Sequence, residues 1–218
     1  EKAALGGKMV FSSDGVHPFS DTGHEVYTQV VARCMEKIAL VPDAKPGPHV
    51  PGAPLVADNW EAAKMVPLSR AALSAGWQKL DPAKDNLAKA FGNRMAELWK
   101  AEKPGETITF RFKGTSAGVY DLLGPDCGQV KVKLDDKPES TRPRIDPYCT
   151  YHRIASLDLG SGLPDTVHTV TVTVDAQVPD KMKILFEHNR PDMEKNPAKY
   201  AGTTWYAGAI MLLGDLVD

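Results

Sequence analysis

The sequence predicts a mainly β chain: a jelly-roll-like β-sandwich over residues 58–218, preceded by a short strand–loop–helix unit over residues 1–40. Three observations carry this expectation. From about residue 59 onward, apolar residues recur with period two rather than 3.6. Eighteen glycines and 17 prolines among 218 residues supply many turns, and hence short strands. Pro42, Pro46, Pro48, Pro51 and Pro54 crowd the segment 41–57 and make it a stiff, extended linker, because proline fixes φ and removes a backbone donor.

Composition excludes some function classes. Lys+Arg 26 against Asp+Glu 28 gives a net charge of −2, without the basic excess of a nucleic-acid binder, so no nucleic-acid partner is expected. Apolar residues at 42% and charged residues at 25% describe a globular chain able to bury a core. No run of about 18 apolar residues occurs, so no membrane span is expected.

In the first unit, Met9-Val10-Phe11-Ser12 reads as a buried strand and Asp14-Gly15-Val16-His17-Pro18 as a loop, since Gly and Pro interrupt regular structure. Thr22-x-x-Glu25 reads as a capping box that satisfies orphan donors at a helix start. Tyr27, Val30, Val31, Cys34, Met35 and Ile38 then form one helical stripe. Burying that stripe is favourable, so the helix over 22–39 is expected to dock on the sandwich or to self-associate with a second copy, with Cys34 inside the packing.

In the second unit, residues 106–112, 129–134 and 168–174 alternate cleanly, as antiparallel strands half covered by a core do. Further strands are expected at 64–69, 75–80, 96–101, 118–123, 152–158, 182–188 and 204–213, with one short helix within 83–94. Cys127 and Cys149 sit in turn-rich segments; a disulfide between them is left open. Neither Cys-x-x-Cys nor His-x-x-x-His occurs, so no metal site is expected.

The residues with most chemistry are Asp14 and His17. Three positions apart on a loop, they can share one space: the carboxylate orients the imidazole, and the other ring nitrogen takes a proton from a nucleophile. Phe11-Ser12-Ser13-Asp14-Gly15-Val16-His17-Pro18, with Thr22-Gly23-His24 and Tyr27, resembles the last conserved block of SGNH (GDSL) hydrolases. The resemblance covers about residues 9–39. It implies that His17 is the general base and Asp14 its orienting carboxylate in a Ser-His-Asp triad that cleaves esters, with no cofactor. It makes the first unit a remnant of an SGNH α/β hydrolase domain, whereas His24 reads as a local helix-start residue. No Gly-Asp-Ser block occurs, so the nucleophile is expected from a missing upstream SGNH segment, and the chain alone is expected to be inactive.

Gly114-Thr115-Ser116-Ala117-Gly118 matches the G-x-S-x-G nucleophile elbow. The next residues, Val119-Tyr120-Asp121-Leu122-Leu123, are too few and too β-like for the helix that motif needs, so a tight hairpin between two strands is expected. Phe110-Arg111-Phe112-Lys113-Gly114-Thr115, Gly118-Val119-Tyr120, Gly124-Pro125-Asp126-x-Gly128, Leu163-Pro164-Asp165-x-x-His168 and Tyr206-Ala207-Gly208-Ala209-Ile210 resemble the β-sandwich modules attached to carbohydrate-acting SGNH esterases. This implies acetyl esters of carbohydrates as the substrate class, with a secreted or periplasmic parent. His168 reads as structural. Trp60, Trp77, Trp99 and Trp205, with Tyr148 and Tyr151, are either a sugar-stacking platform or core packing. The stretch Arg142, Arg144, Asp146, Tyr148, Tyr151, His152 and Arg153 is either a binding loop or a solvated one. The competing reading of the whole is a non-catalytic sandwich that binds glycan or packs against a catalytic domain.

Overall fold

The computed structural model describes residues 11–41, 50–56 and 59–217. The chain forms two compact units, Glu1–Leu55 and Val56–Asp218.

The first unit holds helix α1 (Gly23–Ala39) behind a loop closed by a Ser12–Pro18 bridge. Met9 and Val10 of the expected strand lie outside the described residues, as do positions 42–49, 57 and 58 of the linker. Two expectations are corrected here. Thr22 occupies the N-cap position, but its side chain makes no capping bond, so the capping box is not closed. The apolar stripe is not buried: Tyr27, Val30, Val31, Met35 and Ile38 are all more than half exposed, and Cys34 is exposed too. A helical stripe needs an apolar surface to cover; within this unit the ring of Phe11 meets Tyr27 at 5.3 Å, and the stripe stays more than half exposed.

The second unit is mainly β. Its elements run β1 (Lys64–Pro67), β2 (Ala72–Leu73), β3 (Gln78–Lys79), α2 (Asn86–Phe91), β4 (Trp99–Ala101), β5 (Thr107–Leu123), β6 (Gln129–Leu134), β7 (Ser140–Pro143), β8 (Arg153–Gly160), β9 (Thr166–Val174), α3 (Lys181–Ile184), α4 (Arg190–Lys195) and β10 (Trp205–Val217). All pairings between these strands are antiparallel, and an isolated parallel bridge joins Cys127 to Thr204. The order is β3-β4-β10-β5-β9-β6-β7, with β1 also on β10 and with β2 and β8 also on β5. Strand β5 carries β9 along its first half and β8 along its second, so the sheet divides there into two layers around one core. Ile108, Phe112, Val119, Val130, Val170, Val172, Leu157, Trp205 and Ile210 are the fully buried centre of that core. Each contributes roughly 1.5–3 kcal/mol by leaving water. Among the described residues, no helix is long and apolar enough to cross a membrane.

Strand β5 replaces the hairpin expected at 114–118. Inward residues are Ile108, Phe110 and Phe112 before that point, and Ala117 and Val119 after it. The switch from even to odd positions comes from a bulge: Ser116 pairs Leu213 and Gly114 pairs Gly214, leaving Thr115 as the extra residue. In one dimension such a parity change looks like the end of one strand and the start of another. Gly208 does the same in β10, between the inward pair Trp205 and Ala207 and the inward pair Ile210 and Leu212. Ser116 is no nucleophile elbow either, because it lies inside a strand.

Residues 182–188, expected as a strand, hold instead the end of α3, two extended residues, Leu185 and Phe186, and the start of a 3-10 turn. The Asp180 carboxylate accepts from Lys183 N and caps α3, and a 3-10 turn follows at Glu187–Asn189. The short helix expected within 83–94 is α2, capped by Asp85 accepting from Ala88 N at 2.8 Å.

Candidate active site

The loop before α1 is built around one carboxylate. Asp14 Oδ1 accepts the amide protons of Val16 (2.9 Å) and His17 (2.8 Å) and the hydroxyl proton of Ser12 (2.8 Å). Ser12 Oγ in turn accepts from Gly15 N at 2.8 Å. The chain turns sharply at Gly15, with φ +79°, a conformation glycine adopts without steric cost. Phe19 N donates to Phe11 O at 2.8 Å and ties the loop ends together. Gly23 opens the helix where a Cβ would strike Phe11 O and Pro18, so the helix start packs directly on the loop.

This scaffold leaves Asp14 Oδ2 to meet His17 Nδ1 at 2.7 Å. A carboxylate can only accept, so Nδ1 carries the proton and Nε2 holds the lone pair of the neutral ring. The His17 side chain is 84% exposed, which leaves Nε2 open to an incoming hydroxyl. The bond to the His17 ring, then the amides of His17 and Val16 and the Ser12 hydroxyl, hold Asp14 well below the usual carboxylate range. Sequence motifs alone gave Ser12 no role; its spacing of two from an aspartate on a loop is the signal that finds it. His24 lies in the first turn of α1, where its amide donates to Phe19 O at 2.9 Å. Among the described residues, no hydrogen bond joins His17 Nε2 to a hydroxyl.

The histidines of the second unit are otherwise engaged. His168 is buried, with Nδ1 2.8 Å from Asp135 Oδ2 and Nε2 2.8 Å from Pro164 O. Both neighbours are acceptors, so only the imidazolium satisfies them together. His152 Nε2 lies 2.7 Å from Asp126 Oδ1, while Tyr206 Oη donates to Asp126 Oδ2 at 2.7 Å. With Cys127, these residues bring Asp, Cys and His donor atoms within 4.8 Å of one another, a grouping the sequence spacing did not suggest. Burial holds the Cys127 thiol well above its ordinary range, and both Asp126 oxygens already have partners, the His152 ring and the Tyr206 hydroxyl. The trio fits a hydrogen-bonded structural cluster better than a metal centre.

Cys127 and Cys149 are separate, buried thiols. The tryptophans divide. Trp77 and Trp205 are core residues that meet edge to face at 5.4 Å, Trp99 is half-buried beneath Lys79, and Trp60 is exposed. In the 142–153 stretch, Arg144 is buried against Asp121 at 2.6 Å, whereas Tyr148 and Tyr151 are exposed and Arg153 lies over the Tyr148 ring at 4.6 Å.

No family model matches the chain, and no curated protein matches it in sequence. Among solved structures, it is similar to a two-domain esterase (CEX) active on acetylated mannans, with TM-score 0.64 and 15% identity over 98% of this chain. A structure described as such an esterase co-crystallized with mannopentaose matches over 100% of this chain with TM-score 0.63 and 14% identity. The chain spans 53% of each, about half the length of the structures it matches. At this identity the likeness is one of fold: a mainly β chain shared with half of a two-domain esterase.

Proposed function

We propose that this chain is part of a carbohydrate-active ester hydrolase of the SGNH kind, in which His17 is the general base and Asp14 the carboxylate that orients it. The carrying observation is the 2.7 Å contact between Asp14 Oδ2 and His17 Nδ1, which leaves Nε2 facing outward. In this reading Nε2 removes the proton from a seryl hydroxyl as that oxygen adds to the ester carbonyl. The resulting imidazolium, stabilised by Asp14, returns the proton to the departing alcohol; water repeats the sequence on the acyl-enzyme. No step calls for a cofactor. The sequence contains no Gly-Asp-Ser, so the serine is assigned to an upstream segment outside residues 1–218. Acetyl esters of glycans are the substrate class, supported by the fold shared with an esterase active on acetylated mannans. The sandwich is assigned to holding the glycan, and the parent enzyme to the secreted or periplasmic space.

The test is turnover of p-nitrophenyl acetate. The chain alone is expected to match free imidazole, and joining it to the upstream segment is expected to restore turnover that His17→Ala removes. Restored turnover indifferent to His17→Ala would defeat the assignment.

A further inference from the structure

The outer face of the sandwich carries a cleft of about 310 Å³ that no part of the dyad chemistry uses. It runs across four strands. The register sets Met65 of β1 opposite Met211 of β10, Met211 opposite Gly118 of β5, and Gly118 opposite Asp158 of β8, a straight row from one edge of the sheet to the other. Gly118 makes the middle of the row low: a Cβ there would meet Met211 Cε at 3.0 Å and Leu157 O at 3.1 Å. Ser156 adds a hydroxyl on the face that Asp158 shares, since Leu157 between them points into the core. At the rim stands Trp60, 69% exposed and held on a turn in which Ala63 N donates to Trp60 O at 2.9 Å and Glu61 N donates to Asn59 Oδ1 at 3.1 Å.

An exposed indole beside two outward methionines, set in a cleft, makes an apolar patch of the kind that ligand sites carry. We propose that this groove binds a neutral glycan chain, with one pyranose face stacked on Trp60 and hydroxyls directed to Asp158 and Ser156; the proposal rests on the glycan reading given above. The groove is apolar along the methionines and polar along β8, which matches a sugar ring with apolar C–H faces and a hydroxyl rim. A uronate or other anionic sugar fits poorly, because Asp158 faces the groove and the Lys64 ammonium is already paired with Asp215 at 2.6 Å.

Affinity electrophoresis of the intact chain in soluble mannan tests this, with xylan and hydroxyethyl cellulose in parallel and tryptophan emission as a second readout. Retardation is expected, with a blue shift from Trp60. Trp60→Ala is expected to weaken binding roughly tenfold. Ser156→Tyr, at an exposed strand position that favours tyrosine, is expected to fill the groove and abolish retardation with an unchanged melting temperature. Tyr148→Ala, at an exposed aromatic residue outside the groove, is expected to change nothing. Retardation that survives both groove substitutions would overturn the groove and leave the glycan reading standing. Absence of retardation by all three polysaccharides would overturn both.

Discussion

Gly114 and Gly214 face each other across β5 and β10, and a Cβ on either would land on the other strand's backbone, at Leu213 O or Lys113 O. The register of the two long strands shifts at this point, at the Thr115 bulge. Gly114→Ala is therefore expected to cost about 2–3 kcal/mol, since backbone cannot yield as a flexible side chain does. Urea unfolding of the variant measures it, and a loss below about 0.5 kcal/mol would show that the strands separate freely.

Lys181 is a second place where the fold depends on one side chain. Its ammonium is buried and donates to Pro125 O at 2.8 Å, Tyr200 O at 2.7 Å and Gly202 O at 3.3 Å. Lys181→Met keeps the stem but strands these carbonyls, and a loss of about 3 kcal/mol is expected by denaturant titration.

The thiols should separate by accessibility. Of Cys34, Cys127 and Cys149, only Cys34 is exposed. Burial holds Cys127 well above the usual thiol range and pushes Cys149 up to about 12. A thiol-reactive dye at neutral pH is expected to label one equivalent in the native chain and three after denaturation; Cys34→Ser should remove the native signal.

The His168–Asp135 pair predicts a pH dependence with a definite sign. Asp135 first, and then Pro164 O, raise His168 above its ordinary 6.5. Its contribution is therefore full below pH 6.5 and is lost as pH rises through the higher folded value. Burial opposes ionisation of Asp135, but the His168 ring and the Thr169 amide hold it below 3.8. Its contribution is present above pH 3.8 and is lost as pH falls through the lower folded value. The melting temperature should thus decline on the alkaline side of 6.5, and Asp135→Asn should flatten that decline. Asn suits the test because residue 135 has φ +50°, which asparagine tolerates.

In the reconstituted esterase, Asp14→Asn is expected to lower kcat by roughly 10³-fold or more, by holding His17 in the wrong tautomer, with KM little changed. Steady-state kinetics check this. A loss under about tenfold would make Asp14 a loop scaffold only.

The Asp14–His17 contact was legible from residues 11–18 because the bonds around it are local: Ser12, Asp14, Gly15, Val16 and His17 bond within three positions of one another. The strands around Phe110, Val132 and Val172 were legible because unbroken alternation has one interpretation. The joined strand β5 was not, because a bulge reverses the alternation and only the partner strand reveals the extra residue. Exposure of the α1 stripe was hidden for a related reason: a pattern states which face is apolar, not what will cover it.

The sequence by itself thus determined the β character of the second unit, the helix of the first and the Asp14–His17 pair, since each depends on neighbours a few residues away. Tertiary structure decided which tryptophan faces outward, which cysteine is reachable, that β5 runs unbroken through Gly114, and that Met65, Met211, Gly118 and Asp158 form one row. Those depend on register between strands far apart in the chain, and register is set by the packing of both faces at once.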